Sequence, residues 1–379
     1  MEYRNFGKLD WQVSALGFGC MRFPVIGGNS GRIDEKPAAE MLYYAIDQGV
    51  NYIDTAYPYH GGHSEGFVGK TLEGSYQEKV KIATKLPCWK VEKESDFDTY
   101  LNDQLGRLRT EQIDFYLLHS LGKDSWQKME GLGVLPWAEK AINDGRIAHI
   151  GFSFHDDYPA FKTIIDAYDG WDFCQIQYNY MDVDYQAGEK GLKYAAENGL
   201  AIVIMEPIRG GSLVDPPQEI QKIWTESEIQ RTAADWALQW LWNQPEVSVV
   251  LSGMSEMQHV IENVNSANNS GNNSLSEGEL TTLNKVRNAY ENLSLIPCTR
   301  CGYCIPCPEG VDIPRILNIY NDSIMYDKFD QAKVDYNVWV PADSKANLCV
   351  DCEECEEKCP QDIPISDWME KIHQLYSPE

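Results

Sequence analysis

Short apolar runs alternate along the chain with longer segments whose apolar residues recur at helical spacing. Runs rich in Val, Ile and Leu are typical of buried parallel strands, and the segments after them are typical of amphipathic helices. The predicted strands are 13–20, 51–56, 80–85, 113–119, 147–153, 173–179, 200–206 and 247–253. The predicted helices are 34–48, 64–74, 97–108, 137–145, 158–170, 187–199, 227–242 and 256–267.

Successive strand–helix units of this number and length predict an α/β fold, a (β/α)8 TIM barrel. The Asn- and Ser-rich stretch 265–274 predicts a loop that ends the barrel proper. A helix over 277–290 leads into a C-terminal segment whose apolar residues again recur at helical spacing. The sequence therefore predicts two domains, a barrel over 1–290 and a small, mainly helical domain over 291–379.

Two short runs in that C-terminal segment contain eight of the chain's 11 cysteines. They are "CTRCGYCIPCP", which begins at Cys298, and "CVDCEECEEKCP", which begins at Cys349. Cysteines three apart pair poorly as disulfides, and zinc sites usually separate their C-x2-C pairs by a spacer. The second run has the C-x2-C-x2-C-x3-C-P spacing of bacterial two-cluster ferredoxins, and the first departs from it by one residue.

This ferredoxin spacing implies two [4Fe–4S] clusters that exchange ligands, because the fourth cysteine of each run binds the other cluster in such proteins. One cluster is expected on Cys298, Cys301, Cys304 and Cys359. The other is expected on Cys349, Cys352, Cys355 and Cys307. Zinc is the alternative occupant of these thiols.

The net charge is −26, from 32 basic and 58 acidic residues, which argues against nucleic acid or an anionic membrane as a partner. The N-terminus lacks a signal-peptide pattern and no apolar run is long enough to span a bilayer, so a cytoplasmic location is expected. Acidic residues crowd the second cysteine run. They predict either a solvated face or a docking patch for a basic redox partner protein.

Chemistry in a TIM barrel lies at the carboxyl ends of the strands. Four polar residues lie at or just after the ends of three consecutive predicted strands: Asp54, Tyr59, Lys85 and His119. Taken singly, each is more often a structural or solvated group than a catalyst. Their occurrence as a set at neighbouring strand ends predicts a catalytic site.

The motifs "NYIDTAYPY", "IATK" and "DFYLLH" resemble the signatures of the aldo-keto reductases, and the opening "YRNFGKLDWQVSALGFGCMR" resembles that family's N-terminal hairpin and first strand. The resemblance covers about residues 1–267, and the whole chain resembles the iron–sulfur-containing branch of the family. It implies hydride transfer between NADP or NAD and a small-molecule carbonyl substrate.

The resemblance also implies a role for each member of the set. Tyr59 would be the acid in carbonyl reduction and the base in oxidation. Lys85 would lower the pKa of Tyr59, and Asp54 would hold Lys85 in place. His119 would donate a hydrogen bond to the carbonyl oxygen and orient it.

The family's cofactor contacts carry over less completely. The matching positions are Ser153, Gln175, Met205, Gly210, Gly211, Gly253, Ser255, His259, Glu262 and Asn263. Phe154 replaces the asparagine that usually follows the serine, and Met205 replaces the aromatic residue that stacks on the nicotinamide. Gly253 and His259 stand where basic residues often hold a 2′-phosphate. Trp89, Trp126, Phe154 and His155 are expected either to line the substrate pocket or to pack as ordinary loop residues.

Three functions are compatible with a barrel and two clusters in one chain. In the first, NAD(P)H reduces the carbonyl and the clusters link the enzyme to a one-electron partner. In the second, the barrel has given up the nicotinamide and its substrate receives electrons from the clusters. In the third, the clusters are structural or docking elements only.

Overall fold

A computed structural model of the chain describes residues 1–298 and 300–377. Its contacts divide the chain into two compact units. The first consists of Met1–Gly210 and Ala234–Ser276, and the second of Gly211–Ala233 and Glu277–Glu379. Residues 277–290, which the sequence suggested as the end of the barrel domain, make their contacts within the second unit, and the boundary at residue 290 stays a prediction.

The first unit begins with an antiparallel hairpin of β1 (Tyr3–Phe6) and β2 (Leu9–Ser14). Eight parallel strands follow and form a closed barrel, with β10 completing the circle between β9 and β3. They are β3 (Leu16–Gly19), β4 (Tyr52–Asp54), β5 (Lys81–Leu86), β6 (Ile113–Leu121), β7 (Ile147–Phe154), β8 (Phe173–Gln177), β9 (Ala201–Met205) and β10 (Val249–Ser252). The predicted TIM barrel is confirmed.

Helices connect the strands because a parallel neighbour is reached only by a crossover. In chain order they are α1 (Glu35–Asp47), α2 (Ser64–Leu72), α3 (Ser95–Leu108), α4 (Lys123–Gly131), α5 (Val134–Asn143), α6 (Tyr158–Asp166), α7 (Gly188–Glu197), α8 (Gln218–Thr225), α9 (Ala233–Trp242) and α10 (Met257–Asn268). Of these, α8 belongs to the second unit.

Three details differ from the sequence prediction. Helices α4 and α8 were not predicted; both are short, and each buries only two side chains. The helix predicted from residue 227 begins at Ala233, because Gln230 folds back and its Nε2 donates to the Ser227 carbonyl oxygen at 2.6 Å. The predicted first strand is divided at Ala15 between β2 and β3.

The hairpin fills the barrel interior at the amino ends of the strands. Phe6 is fully buried there, with ring centroids 5.8 Å from Tyr52, 4.7 Å from Phe115 and 5.7 Å from Phe173. Gly7 takes a φ of +55°, and a Cβ at this position would lie 2.5 Å from the Ala201 nitrogen, so only glycine fits. Apolar packing at this end leaves the carboxyl ends of the strands for polar side chains.

The second unit is mainly helical, as the sequence predicted. Besides α8 it contains α11 (Glu277–Leu293), α12 (Ile313–Met325), α13 (Phe329–Val334), α14 (Glu354–Glu357) and α15 (Ile365–Tyr376). Buried apolar side chains of α12 and α15, including Ile316 and Met369, share one core with the cysteine-bearing loops. Among the described residues, no helix is long and apolar enough to cross a membrane.

A buried asparagine fixes the segment that enters the first cysteine run. The side chain of Asn321 on α12 donates to the carbonyl oxygen of Ile296 at 2.7 Å and accepts from its backbone nitrogen at 3.0 Å. Both backbone groups of Ile296 are thereby satisfied inside the core, as buried polar groups must be. Cys298 follows two residues later, so its loop starts from a fixed point.

Candidate functional sites

The four predicted catalytic residues lie together at the carboxyl ends of β4, β5 and β6. Asp54 ends β4, Lys85 lies near the end of β5, and His119 lies near the end of β6. The Lys85 Nζ donates to Asp54 Oδ2 at 2.6 Å and to the Thr55 carbonyl oxygen at 2.8 Å. Lys85 is fully buried and Asp54 nearly so, which makes this a desolvated ion pair.

Tyr59 lies next to this pair, in a turn that hydrogen bonds of the following residue fix in place. The Lys85 Nζ lies 5.2 Å from the centroid of the Tyr59 ring, and the His119 ring centroid lies 6.4 Å from it. The next residue, His60, takes a φ of +53°, an uncommon conformation for a side chain of its size. Its Nε2 accepts from the Phe23 nitrogen at 3.2 Å and its Nδ1 lies 2.8 Å from the Ser30 carbonyl oxygen, so the strained turn is anchored at two points.

The pKa of Tyr59 is raised well above its usual range, chiefly because burial penalises the phenolate. The neighbouring charge of Asp54, the Cys20 thiol and the Glu206 carboxylate act in the same direction. The expected lowering of the Tyr59 pKa by Lys85 is therefore not found, because the Asp54 carboxylate at 2.6 Å offsets the ammonium charge. At neutral pH the Tyr59 hydroxyl keeps its proton.

His119 is uncharged at neutral pH, because burial and the positive charge of Lys85 hold its pKa well below the usual range. Within the described part of the chain, its Nδ1 is buried without a hydrogen-bond partner. The indole of Trp89 lies against the imidazole, with ring centroids 5.1 Å apart, and is half exposed. His119 thus has an unpaired ring nitrogen among the described residues, close to Tyr59 and covered by the indole of Trp89. Sites for small polar ligands combine such polar groups with aromatic walls.

A buried polar network that the sequence pattern did not reveal supports β5 from behind. Glu65 on α2 is fully buried and accepts from Thr84 at 2.6 Å, and Arg107 lies 3.2 Å from its second oxygen. Gln104 on α3 donates to Glu65 and, at 3.0 Å, to the carbonyl oxygen of Lys85. The sequence could have indicated this network through Glu65, a carboxylate on the otherwise apolar face of α2.

Two of the predicted cofactor contacts are neighbours on β7 and β8. Ser153 pairs in register with Gln175, and both side chains are buried. The Ser153 hydroxyl accepts from the Ser120 nitrogen at 2.7 Å, and the Gln175 Nε2 lies 3.6 Å from the Met205 sulfur. The Gln175 Oε1 has no partner among the residues described. A buried amide oxygen without a partner fits the carboxamide of a nicotinamide.

Two of the expected pocket walls are core residues instead. Phe154 is fully buried, with its ring 5.0 Å from that of Phe161 on α6. Trp126 packs against Trp171 at 6.1 Å and is almost completely buried. Phe154 thus points outward from β7, so the position has no side chain that could replace the missing asparagine.

The remaining predicted contacts lie in the loops after β9 and β10. Gly210 and Gly211 take φ values of +63° and +96°, which favour glycine. The Ser255 hydroxyl lies 3.5 Å from the His259 Nδ1, Glu262 accepts from Gln258 at 2.8 Å, and Asn263 donates to the Ser252 hydroxyl at 2.9 Å. Glu262 and Asn263 therefore bond within their own segment.

The eight clustered cysteines line two cavities in the second unit. One cavity is lined by Cys298, Cys301, Cys304 and Cys359. The other is lined by Cys307, Cys349, Cys352 and Cys355, and Cys304 lines it as well. Each predicted set of four thiols, including the one exchanged between runs, thus surrounds its own cavity.

Among the described residues, no three His, Cys, Asp or Glu side chains are close enough to hold a single metal ion.

Comparison with known proteins finds a matching family model for each part of the chain. The Aldo/keto reductase family model matches residues 15–287, and the 4Fe-4S dicluster domain model matches residues 297–364. An NADH-specific methylglyoxal reductase from Escherichia coli is 25% identical over 77% of this chain and 100% of its own length. A probable aldo-keto reductase from Glycine max is 25% identical over 69% of this chain and 82% of its own.

Solved structures of aldo-keto reductases share the barrel fold. The holo form of an enzyme from Bacillus halodurans covers 76% of this chain and 96% of its own, with 26% identity and a TM-score of 0.62. An enzyme from Klebsiella pneumoniae in complex with NADPH has the same coverage, with 22% identity and a TM-score of 0.60. Because the family match spans most of the sequence, the chain belongs to the aldo/keto reductase family, as an oxidoreductase with a 4Fe-4S dicluster domain after its barrel.

Proposed function

We propose that the protein reduces an aldehyde or ketone with NADPH or NADH, and that Tyr59 is the general acid. The observation that carries the proposal is the arrangement of a protonated Tyr59 beside the buried Lys85–Asp54 pair and next to a neutral His119, whose Nδ1 has no hydrogen-bond partner among the described residues. Tyr59 and His119 are in the protonation states that carbonyl reduction at neutral pH requires, because the pKa of Tyr59 is raised and that of His119 is lowered.

The nicotinamide, when bound, supplies the hydride to the carbonyl carbon. Ser153 and Gln175 would hold its carboxamide, and Met205 lies next to Gln175 at the end of β9. Cofactor contacts are also proposed in the loops at Gly210 and Gly253. Both NADP and NAD stay candidates: the Klebsiella pneumoniae structure contains NADPH, and the Escherichia coli relative is described as NADH-specific.

In this mechanism His119 donates a hydrogen bond to the carbonyl oxygen and orients the substrate for hydride transfer. Tyr59 then gives its proton to that oxygen. The Lys85 ammonium group lies 5.2 Å from the centroid of the ring on which the phenolate is left, and Asp54 keeps that ammonium group in place. Trp89 forms the outer wall beside His119.

We propose further that the domain over 291–379 holds two [4Fe–4S] clusters with exchanged fourth ligands, on the two sets of thiols that line separate cavities. The clusters would link the barrel chemistry to a one-electron partner protein. A basic partner suits the second site, because Asp351, Glu353 and Glu354 surround the exposed Cys352 and Val350 is 62% exposed beside it.

Tyr59→Phe should lower kcat for carbonyl reduction by roughly 10²- to 10⁴-fold, because it removes the general acid and leaves the ring in place. Steady-state oxidation of NADPH or NADH with a panel of aldehydes and ketones measures this loss. Tyr57→Phe, in the same loop, is the matched control and should keep its activity. Turnover by Tyr59→Phe near that of the native enzyme would contradict the mechanism.

The kcat for reduction should stay level between about pH 6 and 9. His119 has its pKa well below the usual range and is already neutral at the acid end, whereas Tyr59 has its pKa well above the usual range and is still protonated at the alkaline end. A pH profile at saturating cofactor and carbonyl substrate measures this. A step centred near pH 6.5 would show that His119 titrates as an ordinary histidine.

If the clusters are linked to hydride chemistry, NADPH or NADH should bleach the visible absorbance of the oxidised, cluster-replete protein under anaerobic conditions. A hydride carries two electrons and each cluster accepts one, so the count balances. The comparison is dithionite-reduced protein mixed with a carbonyl substrate and no nicotinamide. Reoxidation of the clusters by the carbonyl substrate in this second experiment would favour a barrel whose substrate receives electrons from the clusters alone. Unchanged cluster absorbance in both experiments would favour a structural role for the clusters.

Cys359→Ser should remove the cluster of the first run although it lies in the second, and the iron content should fall from about eight to about four atoms per chain. The spectrum of the reduced variant should match that of Cys298→Ser and differ from that of Cys352→Ser. Electron paramagnetic resonance of the three anaerobically purified variants makes the comparison. A match between Cys359→Ser and Cys352→Ser instead would contradict the exchanged ligands, and stoichiometric zinc in the native protein would exclude the clusters.

A further inference from the structure

Arg22 is a charged residue near the barrel mouth to which the mechanism above gives no role. It ends the short 3₁₀ turn Cys20–Arg22, directly after β3, the first strand of the barrel. Its side chain is exposed. Among the described residues, no hydrogen bond or ion pair engages its guanidinium, so this cation at the carboxyl ends of the strands is available to a ligand.

The two flanking loops leave space for this side chain. A Cβ added to Gly253, after β10, would lie 3.1 Å from both Cγ and Cδ of Arg22. A Cβ added to Gly210, after β9, would lie 3.4 Å from its terminal Nη2. The aliphatic part of the Arg22 side chain therefore packs against the backbone at Gly253, and its guanidinium lies beside the backbone at Gly210.

The charged residues around Arg22 are either acidic or already paired. The segment from Gly253 to Asn263 contains no lysine or arginine. Arg209, on the β9 loop, is engaged with the buried Asp182 at 3.0 Å. The Glu206 carboxylate lies as close as Arg22 does to the Gly210 position, with its Oε2 3.4 Å from the added Cβ. An anion that entered between these loops would need a cation to offset that carboxylate, and Arg22 is the guanidinium placed there.

We propose that Arg22 binds a phosphate group of the nicotinamide dinucleotide and takes the place of the basic residues absent from the β10 loop. The inference rests on the proposed nicotinamide-dependent function. Guanidinium is suited to this task because its planar donors match phosphate oxygens two at a time. Gly210, with its positive φ and no side chain, lets a phosphate approach the backbone on the opposite side.

The test is direct titration of NADPH and of NADH into the anaerobically purified, full-length protein, followed by calorimetry or by quenching of tryptophan fluorescence. Arg22→Met should raise the dissociation constant about 10- to 100-fold, the loss expected for a charge-assisted bond to phosphate. Arg22→Lys, which keeps the charge and loses the paired donors, should fall between. Arg32→Met, an exposed arginine on the same β3–α1 connection, is the matched control and should bind as the native protein does.

The two cofactors distinguish which phosphate is bound. Equal weakening of NADPH and NADH would assign Arg22 to the pyrophosphate, and weakening of NADPH alone would assign it to the 2′-phosphate; both outcomes support the proposal. Unchanged binding of both cofactors by Arg22→Met would overturn it while leaving the proposed function intact. If the native protein bound neither cofactor, the nicotinamide function itself would fail, and this inference with it.

Discussion

The site in the barrel depends on the buried ion pair between Lys85 and Asp54. Taking an ammonium and a carboxylate out of water is costly, and removing one partner of such a pair typically costs about 3–5 kcal/mol because the other is left charged and buried. The pair is held at 2.6 Å because β4 and β5 are adjacent parallel strands whose carboxyl ends coincide. Backbone geometry thus fixes the charge balance beneath Tyr59.

Most of the barrel was predictable because its signals are periodic and local. Strand runs and helix faces gave all eight βα units, and parallel topology then required that Asp54, Lys85 and His119 meet at one end. Helices α4 and α8 escaped prediction because both are short, with nine and eight residues, and each buries only two side chains. The direction of the Tyr59 pKa was also missed, since it follows from burial and from the neutralisation of Lys85, neither of which is written in residue spacing.

The loops around the strand ends were the least predictable part. Phe154 and Trp126 were candidates for the pocket because of their positions in the sequence. In the structure their side chains pack between the barrel strands and the surrounding helices. The sequence assigned no role to Arg22 or Glu206, because only the folded loops bring their side chains near Gly210. The cysteine sets were the opposite case, because the grouping expected from spacing reappears in the lining of the two cavities.

Cys304 and Ile365 line both cavities of the second unit, so the two sites are separated by little more than one thiol and one aliphatic side chain. Apolar side chains such as Val311, Ile313 and Met369 form part of the lining, and charge is poorly screened across apolar groups. With a cluster at each site, an electron on one would repel an electron arriving at the other. The unit would then load its electrons in two separated steps, releasing the second one more readily than the first.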